Sequence, residues 1–466
     1  MAWFRLPMTI LQSARARVHG HLPVGSLRGR LARGAFWSIV GAVVSQGSVL
    51  VASVITARLL GTVGFGELAI INGTIGMLGV FAGFGLGMTA TKYVAEFLAK
   101  DPARAGRIIG LSTVVASVTG GVISLLLFIF AHFLATRTLA APHLVPEFRI
   151  GALLLFFNAL NGAQIGALSG LESFKAIAHS NLIRGLLSLP VMVGGVLLWH
   201  LSGAVCGLVL AAAIACVVNQ WFLRNECLRA GVRVSYRAII SECRVLWDFS
   251  LPAFFSCAMT APATWAASAM LVNQPNGYAE MGIFNAASQW RTALFFLPGI
   301  IGQVVVPMLA SLQNTDGRRS VRKVLLGSVL INALCTVPVL IVLVPCSNWV
   351  MSFYGDKFSH RGAVLQVSLL CAALLAILTP ASNFIASIGR MWVGFFMNAG
   401  WAGCFLVVAY FLLLRGWGAQ GLACAYLAAY IAHALWTFWF ASSVLGATPR
   451  SSNSPTGVLP LDSQAI

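Results

Sequence analysis

Arg291 is the residue whose type and position point most directly to chemistry. It lies in the first half of an apolar run that covers residues 281–311. An arginine buried in a membrane costs about 2.5 to 3.5 kcal/mol on insertion scales, so its side chain should face a wet cavity or a partner. A guanidinium in such a cavity offers a fork of donors to a phosphate. The alternative is that Arg291 snorkels to the interface or pairs with a helix carbonyl.

Three further cations are candidates for binding an anionic headgroup. Arg58 ends the first apolar run, where it is either an interfacial anchor or an inward-facing charge. Lys92 and Arg184 lie at the ends of two other runs. Ordinary placement of basic residues on the cytoplasmic side explains both. The functional alternative is a positively charged mouth that gathers an anionic ligand.

Uncharged polar side chains recur inside the apolar runs and predict a hydrated cavity that could meet sugar hydroxyls. Hydrogen bonds between helices explain some of them without any ligand. Three of them fall at i, i+3 and i+6 and are expected to share one side of a helix. The predicted cavity residues are Gln46, Asn72, Asn158, Asn161 and Gln164.

The carboxylates exclude other chemistries. All twelve Asp and Glu lie in loops or near the ends of apolar runs, whereas a pump for organic cations is expected to carry one in mid-membrane. No Walker loop, HExxH, GxSxG or paired carboxylate occurs, so the sequence predicts neither a cofactor nor an enzyme. The ten cysteines form no CxxC pair and read as packing residues, so no metal site is predicted.

These groups must be positioned by membrane helices. The chain is 59% hydrophobic and only 9% charged, whereas soluble proteins carry about 25% charged residues. Apolar runs of the length that crosses a bilayer recur from start to finish. The sequence therefore predicts an all-α polytopic membrane protein with twelve spans: 36–57, 67–91, 108–134, 148–170, 185–201, 203–223, 246–272, 281–311, 324–345, 363–386, 391–414 and 418–442.

The basic residues predict the orientation. With both termini in the cytoplasm, most of the thirty Lys and Arg fall on the inside, as cytoplasmic loops require. The residues left outside are Arg58, Arg137, Arg149, Lys357, Arg361 and Arg415. This distribution accounts for the net charge of +18, and no basic-aromatic domain stands outside the membrane, so nucleic acid is not expected as a partner.

An internal repeat predicts two halves. Gly61 and Gly66 recur 216 residues later as Gly277 and Gly282, again in a short turn between apolar runs. Six spans return the chain to its starting side, so the six-helix lobes should be related by a pseudo-two-fold axis along the membrane normal. The predicted organisation is a basic cytoplasmic arm (1–35), an N-lobe (36–223), a cytoplasmic linker (224–245), a C-lobe (246–442) and a disordered cytoplasmic tail (443–466). Three glycines, Gly83, Gly85 and Gly87, are expected to break the second span near its end.

Two segments resemble a known family. The first runs from Arg58-Leu59-Leu60-Gly61 through Phe65-Gly66 and Gly85-Leu86-Gly87 to Lys92-Tyr93-Val94-Ala95-Glu96. The second runs from Trp290-Arg291 through Leu297-Pro298 to Pro307. Together they resemble bacterial polysaccharide (O-antigen or exopolysaccharide) flippases of the multidrug/oligosaccharidyl-lipid/polysaccharide exporter (MOP) superfamily.

The resemblance implies a V-shaped pair of lobes in the bacterial inner membrane. Such proteins move undecaprenyl-diphosphate-linked oligosaccharide between leaflets, so the implied partners are this substrate, membrane lipids and glycan polymerase or assembly proteins. In related peptidoglycan-precursor flippases, cavity arginines are thought to engage the diphosphate, and Arg58 and Arg291 match such positions approximately. This chain departs from those relatives in having twelve predicted spans instead of fourteen.

Other functions remain open at this stage. One is a cation-coupled small-molecule exporter of the same superfamily. Another, from a different class, is a membrane-embedded glycan polymerase or ligase, for which the outside loops look too short. A third is a passive partner of a glycan synthase complex.

Overall fold

The computed structural model describes residues 27–237, 242–244, 250, 254, 258–315, 318–387 and 391–446. The predicted tail lies almost wholly outside this range, as do most of the predicted arm and much of the start of the predicted span 246–272. The first helix already begins at Leu27, so the last part of the predicted arm is helical.

Helices and no strands make up the regular structure of the described residues. A π-helical turn, Leu134–Thr138, extends the third helix, and 3-10 turns occur at Pro142–Leu144 and Asp356–Phe358. The α-helices are α1 Leu27–Gly83, α2 Leu86–Phe97, α3 Pro102–Phe133, α4 Val145–Gly170, α5 Phe174–Arg229, α6 Thr260–Val272, α7 Gly277–Thr315, α8 Arg318–Leu343, α9 Ser347–Ser352, α10 Gly362–Ser387, α11 Met391–Leu414 and α12 Gly418–Gly446.

Eight helical stretches in the described residues are long and apolar enough to cross a membrane. Their outward faces are apolar, as expected for helices that contact lipid. On α3 this face carries Val118, Val122, Leu125 and Ile129, all of them exposed. The prediction of a polytopic helical membrane protein is thereby confirmed, whereas twelve separate spans stay a prediction.

The two longest helical stretches are broken in the middle. In α1 the break is at Gly61, whose φ of 71° lies in the left-handed region that glycine adopts without strain. In α5 the break is at Trp199 and His200, where the chain turns back so closely that Gly195 and Gly203 lie backbone to backbone. A further break separates α1 from α2, with Gly85 at φ 67°. The sequence predicted the turn at Gly61 and the break near Gly85.

The two parts of the chain that precede and follow the linker pack on one continuous apolar core. It contains Ile70, Ile71 and Phe148 from the first part and Phe284 and Phe405 from the second. The closest approach is between α1 and α7. A β-carbon on Gly66 would overlap the carbonyl oxygen of Tyr278, and one on Gly282 would overlap that of Thr62.

The predicted linker is docked on α3. The amide of Ser235 donates to the carbonyl of Gly106 at 3.3 Å, and the absence of a side chain at Gly106 permits this approach. Farther along, Glu242 is buried and accepts from Arg104 at 3.0 Å and from Arg107 at 3.2 Å. The segment therefore lies against the same end of α3 from which both arginines project.

Candidate functional site

Arg291 lies on α7 in a cage of aromatic rings. Its guanidinium carbon is 4.4 Å from the centroid of the Tyr426 ring, and its side chain is half-buried. Tyr426 and Tyr430 come from successive turns of α12. Trp401 of α11 packs against Tyr430 with ring centroids 5.1 Å apart. A desolvated cation–π contact of this kind contributes about 2 kcal/mol, so the rings fix the position of the charge.

No ion pair joins Arg291 to an acidic residue within the described ranges. Its charge is held by aromatic faces, which attract a cation but do not neutralise it. The side chain neither snorkels to a helix end nor pairs with a carboxylate. A positive charge therefore remains available to an anion that reaches the exposed part of the guanidinium.

The carboxylates nearest the apolar runs are engaged elsewhere. Glu67 lies 2.7 Å from Nε2 of His143, and Glu280 pairs with Arg361 and accepts from the amide of Ala419 at 2.8 Å. The hydroxyl of Ser202 donates to the buried Glu147 at 2.6 Å. Among the described residues, none of these three acids faces Arg291 or stands free for an organic cation. Asp248, also near a predicted span, lies outside the described residues.

Lys92 borders a cleft between α2 and α4. The cleft has a volume of about 410 Å³ and is lined mainly by small and polar residues. Its glycines let the helices touch, since Gly87 and Gly166 meet backbone to backbone. The hydroxyl of Thr91 donates to the carbonyl of Gly166 at 3.1 Å. The lining residues are Gly87, Met88, Thr91, Lys92, Gly162, Ile165, Gly166 and Ser169.

Asn158 extends the polar side of this cleft. It is exposed and lies one turn before Gly162, which lines the cleft, so both project from the same face of α4. Asn72 is likewise exposed, on α1 beside Gly73. Arg184 is exposed near the start of α5, and Gln46 is half-buried on α1. The structure does not bring these last three residues into contact with Arg291 or with the cleft.

Asn161 and Gln164 occupy a different place from Asn158. Both are buried between α4 and α5. Asn161 donates to the carbonyl of Ala212 at 3.0 Å and accepts from Asn219 at 2.9 Å, while Gln164 donates to Gln220 at 3.0 Å. Steps of three residues rotate by 300° on a helix, so a run of them drifts away from its starting face. These two amides join two helices and do not line an open cavity here.

Arg58 connects the two parts of the chain. Its Nε donates to the carbonyl of Phe353 at 2.5 Å. A similar contact runs in the other direction, because Asn273 donates to the carbonyl of Thr138 at 2.8 Å and Tyr278 to that of Leu139 at 2.7 Å. The guanidinium of Arg58 is therefore directed at a backbone carbonyl and not at a lipid headgroup.

Aromatic rings complete this junction. Phe65 packs on Tyr354 with ring centroids 6.2 Å apart and on Phe358 at 6.4 Å. Burial raises the pKa of the Tyr354 hydroxyl to about 12, which keeps the junction uncharged at Tyr354 around neutral pH. We call the contacts around Gly66, Arg58 and Asn273 the α1–α7 junction.

Sequence reasoning missed the aromatic partners of Arg291. The available signal was the pair Tyr426 and Tyr430, four residues apart in one apolar run of a chain that has only seven tyrosines. A spacing of four places both rings on the same face of a helix. Their contact with α7 depends on how α12 packs, which the spacing does not reveal.

The chain matches the model of a protein family over residues 31–313, and the family's description is "Polysaccharide biosynthesis protein". It is 24% identical over 420 residues to the EPS I polysaccharide export inner membrane protein EpsE of Ralstonia nicotianae, covering 89% of this chain and 94% of that protein. It is 23% identical over 424 residues to a putative O-antigen transporter of Shigella flexneri, covering 87% and 96%.

The fold is similar to that of a solved transporter. The inward-facing conformation of a multidrug resistance MATE family transporter of the MOP superfamily superposes with a TM-score of 0.68. The match covers 89% of this chain and 99% of that one at 15% identity. At this identity the likeness shows the fold alone.

Proposed function

This chain belongs to the polysaccharide biosynthesis protein family of membrane transporters, and from this premise we propose that it flips a lipid-linked oligosaccharide across a bacterial inner membrane. The substrate class is an oligosaccharide carried on undecaprenyl diphosphate, for O-antigen or exopolysaccharide assembly. No covalent bond is made or broken, and no cofactor takes part.

The observation that carries the proposal is the Arg291 charge, held by Tyr426 without a carboxylate partner in the described residues. A diphosphate cannot cross hydrocarbon unaided because ionised groups lose several kcal/mol or more of hydration there. A fixed guanidinium offers it a charge-assisted, forked contact in place of water. The hydrophobic tail then stays in the bilayer while the headgroup passes through the protein.

The proposed architecture has twelve spans in two six-helix lobes, 36–223 and 246–442, joined by the linker 224–245. The length of α1 supports it, because 57 residues extend about 85 Å when straight, whereas a hydrocarbon core is about 30 Å thick. Its break at Gly61, and that of α5 at His200, divide each helix into two spans of suitable length.

A parallel two-fold repeat is supported by the α1–α7 junction. Gly66 meets Tyr278 and Gly282 meets Thr62, and each partner lies 216 residues from its counterpart. Such reciprocal contacts are what a two-fold axis produces. Alternating access is the mechanism we propose, with the junction closed in the present conformation and the lobes separating there when the headgroup is released.

With both termini in the cytoplasm, Lys92 and Arg184 lie at the cytoplasmic ends of their helices. In the proposed cycle they gather the diphosphate, and Asn158, with Gln46 and Asn72, meets the sugars. Arg58 acts through the junction. Asn161 and Gln164 are proposed to hold α4 on α5 in the N-lobe. Glycan polymerase and assembly proteins are the proposed protein partners.

The test is a gene deletion in the host, complemented by the wild type, Arg291→Ala, Arg291→Lys and a control, Arg149→Ala. Arg149 is an exposed arginine at the start of α4. Surface polysaccharide and lipid-linked oligosaccharide in the cytoplasmic leaflet are measured together, with protein levels matched.

We expect the deletion to abolish polysaccharide and trap the precursor in the cytoplasmic leaflet. Arg291→Ala should fail to complement, Arg291→Lys should complement in part because it keeps a charge without the fork, and Arg149→Ala should complement fully. Unchanged polysaccharide with lowered drug tolerance would identify an exporter instead. Unpolymerised repeat units on the outer leaflet would identify a polymerase.

A further inference from the structure

A second cavity lies where α3, the end of α5 and the docked linker meet. Its volume is about 270 Å³. Apolar side chains form its walls, among them Ile109 of α3, Leu223 of α5 and Val232 of the linker. Arg224 and Arg233 stand at its rim and are both exposed. The cavity thus combines an apolar interior with a cationic edge.

The two rim arginines differ from their neighbours in having no acidic partner among the described residues. Arg104 and Arg107 are neutralised by Glu242, and Arg229 donates to Glu226 at 2.7 Å. Arg224 and Arg233 form no ion pair in the part of the chain that the structure describes. Two uncompensated charges therefore converge on one small cavity.

The cavity opens towards lipid at the level of the headgroups. One face of α5 is an exposed apolar stripe formed by Leu210, Val217, Trp221 and Leu228, and Arg224 falls on the same face. Trp221 and Tyr236 are both exposed beside the cavity. Exposed tryptophan and tyrosine concentrate where a membrane protein passes from hydrocarbon to headgroups.

This cavity is separate from the Lys92 cleft. The amides of Asn161 and Gln164 close the interface between α4 and α5. The cleft opens on the α2 side of α4, whereas the second cavity lies between α5 and α3. A ligand here would contact neither Lys92 nor Arg291.

We propose that this cavity binds the phosphate headgroup of an anionic phospholipid from the surrounding leaflet. Arg224 and Arg233 contact the phosphate, and an acyl chain lies along the exposed stripe of α5. Charge complementarity favours an anionic lipid over a neutral one, and basic pockets beside membrane helices bind such headgroups. The site rests on neither the proposed substrate nor the direction of transport.

The test uses the purified full chain in a neutral detergent, with dioleoyl phosphatidylglycerol as the probe and dioleoyl phosphatidylcholine as the neutral comparison. Bound lipid is counted by native mass spectrometry across a titration. The charge variant is Arg224→Gln with Arg233→Gln. Its matched control is Arg229→Gln with Arg237→Gln, which removes the same charge from nearby positions that do not line the cavity. Val234→Trp fills the cavity without changing charge.

We expect one phosphatidylglycerol to bind in preference to phosphatidylcholine. Each arginine near an anionic headgroup accounts for about fivefold in affinity, so the charge variant should bind roughly 25-fold more weakly. Val234→Trp should also weaken binding, and the control should match the wild type. If the charge variant does not fold, Val234→Trp decides the result.

Equal loss in the charge variant and its control would overturn the proposal in favour of diffuse surface charge. Absence of a preference for phosphatidylglycerol would also overturn it. Displacement of the bound phospholipid by farnesyl diphosphate, a short polyprenyl diphosphate, would assign the cavity to the carrier lipid instead. Because the readout is binding, failure here leaves the transport test of Arg291 unaffected.

Discussion

Gly66 and Gly282 lie where α1 and α7 cross, each with its backbone against the other helix. A β-carbon on Gly66 would fall 2.9 Å from the amide nitrogen of Gly282, and one on Gly282 would fall 3.2 Å from that of Gly66. Both would also overlap a carbonyl oxygen of the facing helix. The helices can therefore approach this closely only because neither position has a side chain.

Gly66→Ala should destabilise the protein because the clash is with backbone, which cannot rotate away. Overpacking of this kind costs about 1–3 kcal/mol. The control is Gly76→Ala on the same helix, where a β-carbon meets nothing within 4 Å. We expect a lower melting temperature for Gly66→Ala alone, measured in nanodiscs. Equal melting temperatures for the two variants would show that the junction is looser than the structure describes.

Arg58→Ala should loosen the junction around Phe353. A hydrogen bond from a charged donor contributes about 1.5–3 kcal/mol, so local opening should become at least tenfold more frequent. Hydrogen exchange of peptides covering residues 344–361 measures this directly. Arg415→Ala, which removes another exposed arginine, provides the comparison. Unaltered exchange in Arg58→Ala would argue against a role for Arg58 in the junction.

Tyr426→Leu should impair transport more than Tyr426→Phe. Phenylalanine keeps a ring face beneath Arg291, whereas leucine removes a cation–π contact of about 2 kcal/mol. The expected result is a fall of tenfold or more in flipping by the leucine variant in proteoliposomes, with near wild-type flipping by the phenylalanine variant. If both variants fall equally, the hydroxyl of Tyr426 matters and the ring face does not.

Asn158→Ala and Asn161→Ala should have different effects although the two residues are one turn apart. Asn161 bonds Ala212 and Asn219 in the interior, and each such bond contributes about 0.6 kcal/mol or more within a membrane. Asn161→Ala should therefore lower the melting temperature. Asn158 is exposed beside the cleft, so its variant should keep the melting temperature and reduce flipping. The reverse pattern would exchange their roles.

The sequence predicted the breaks in the helices because their cause is local. Gly61 adopts a φ of 71°, a conformation that costs glycine little and other residues more, and the neighbouring glycines mark the turn. The break at Gly85 has the same origin. The turn at His200 was placed by the lengths of the flanking apolar runs, since one continuous helix would be too long for a bilayer.

The polar residues were harder to place. Asn158, Asn161 and Gln164 were expected to share one side of a helix, but only Asn158 is exposed. Arg58 was expected to be an anchor or a cavity charge, and it donates to a carbonyl of a distant segment. In each case the residue type indicated a need for a partner, and the partner came from an element far away in sequence.

The sequence by itself therefore determined that this chain is a helical membrane protein, where its helices break and which family it resembles. These properties depend on the transfer of each segment into hydrocarbon and on the conformations open to single residues, so neighbouring residues contain the information. Only the tertiary structure decided that Arg291 rests on Tyr426 and that Asn161 joins α4 to α5. Those contacts depend on the rotation and packing of helices that are distant in sequence, which no local pattern specifies.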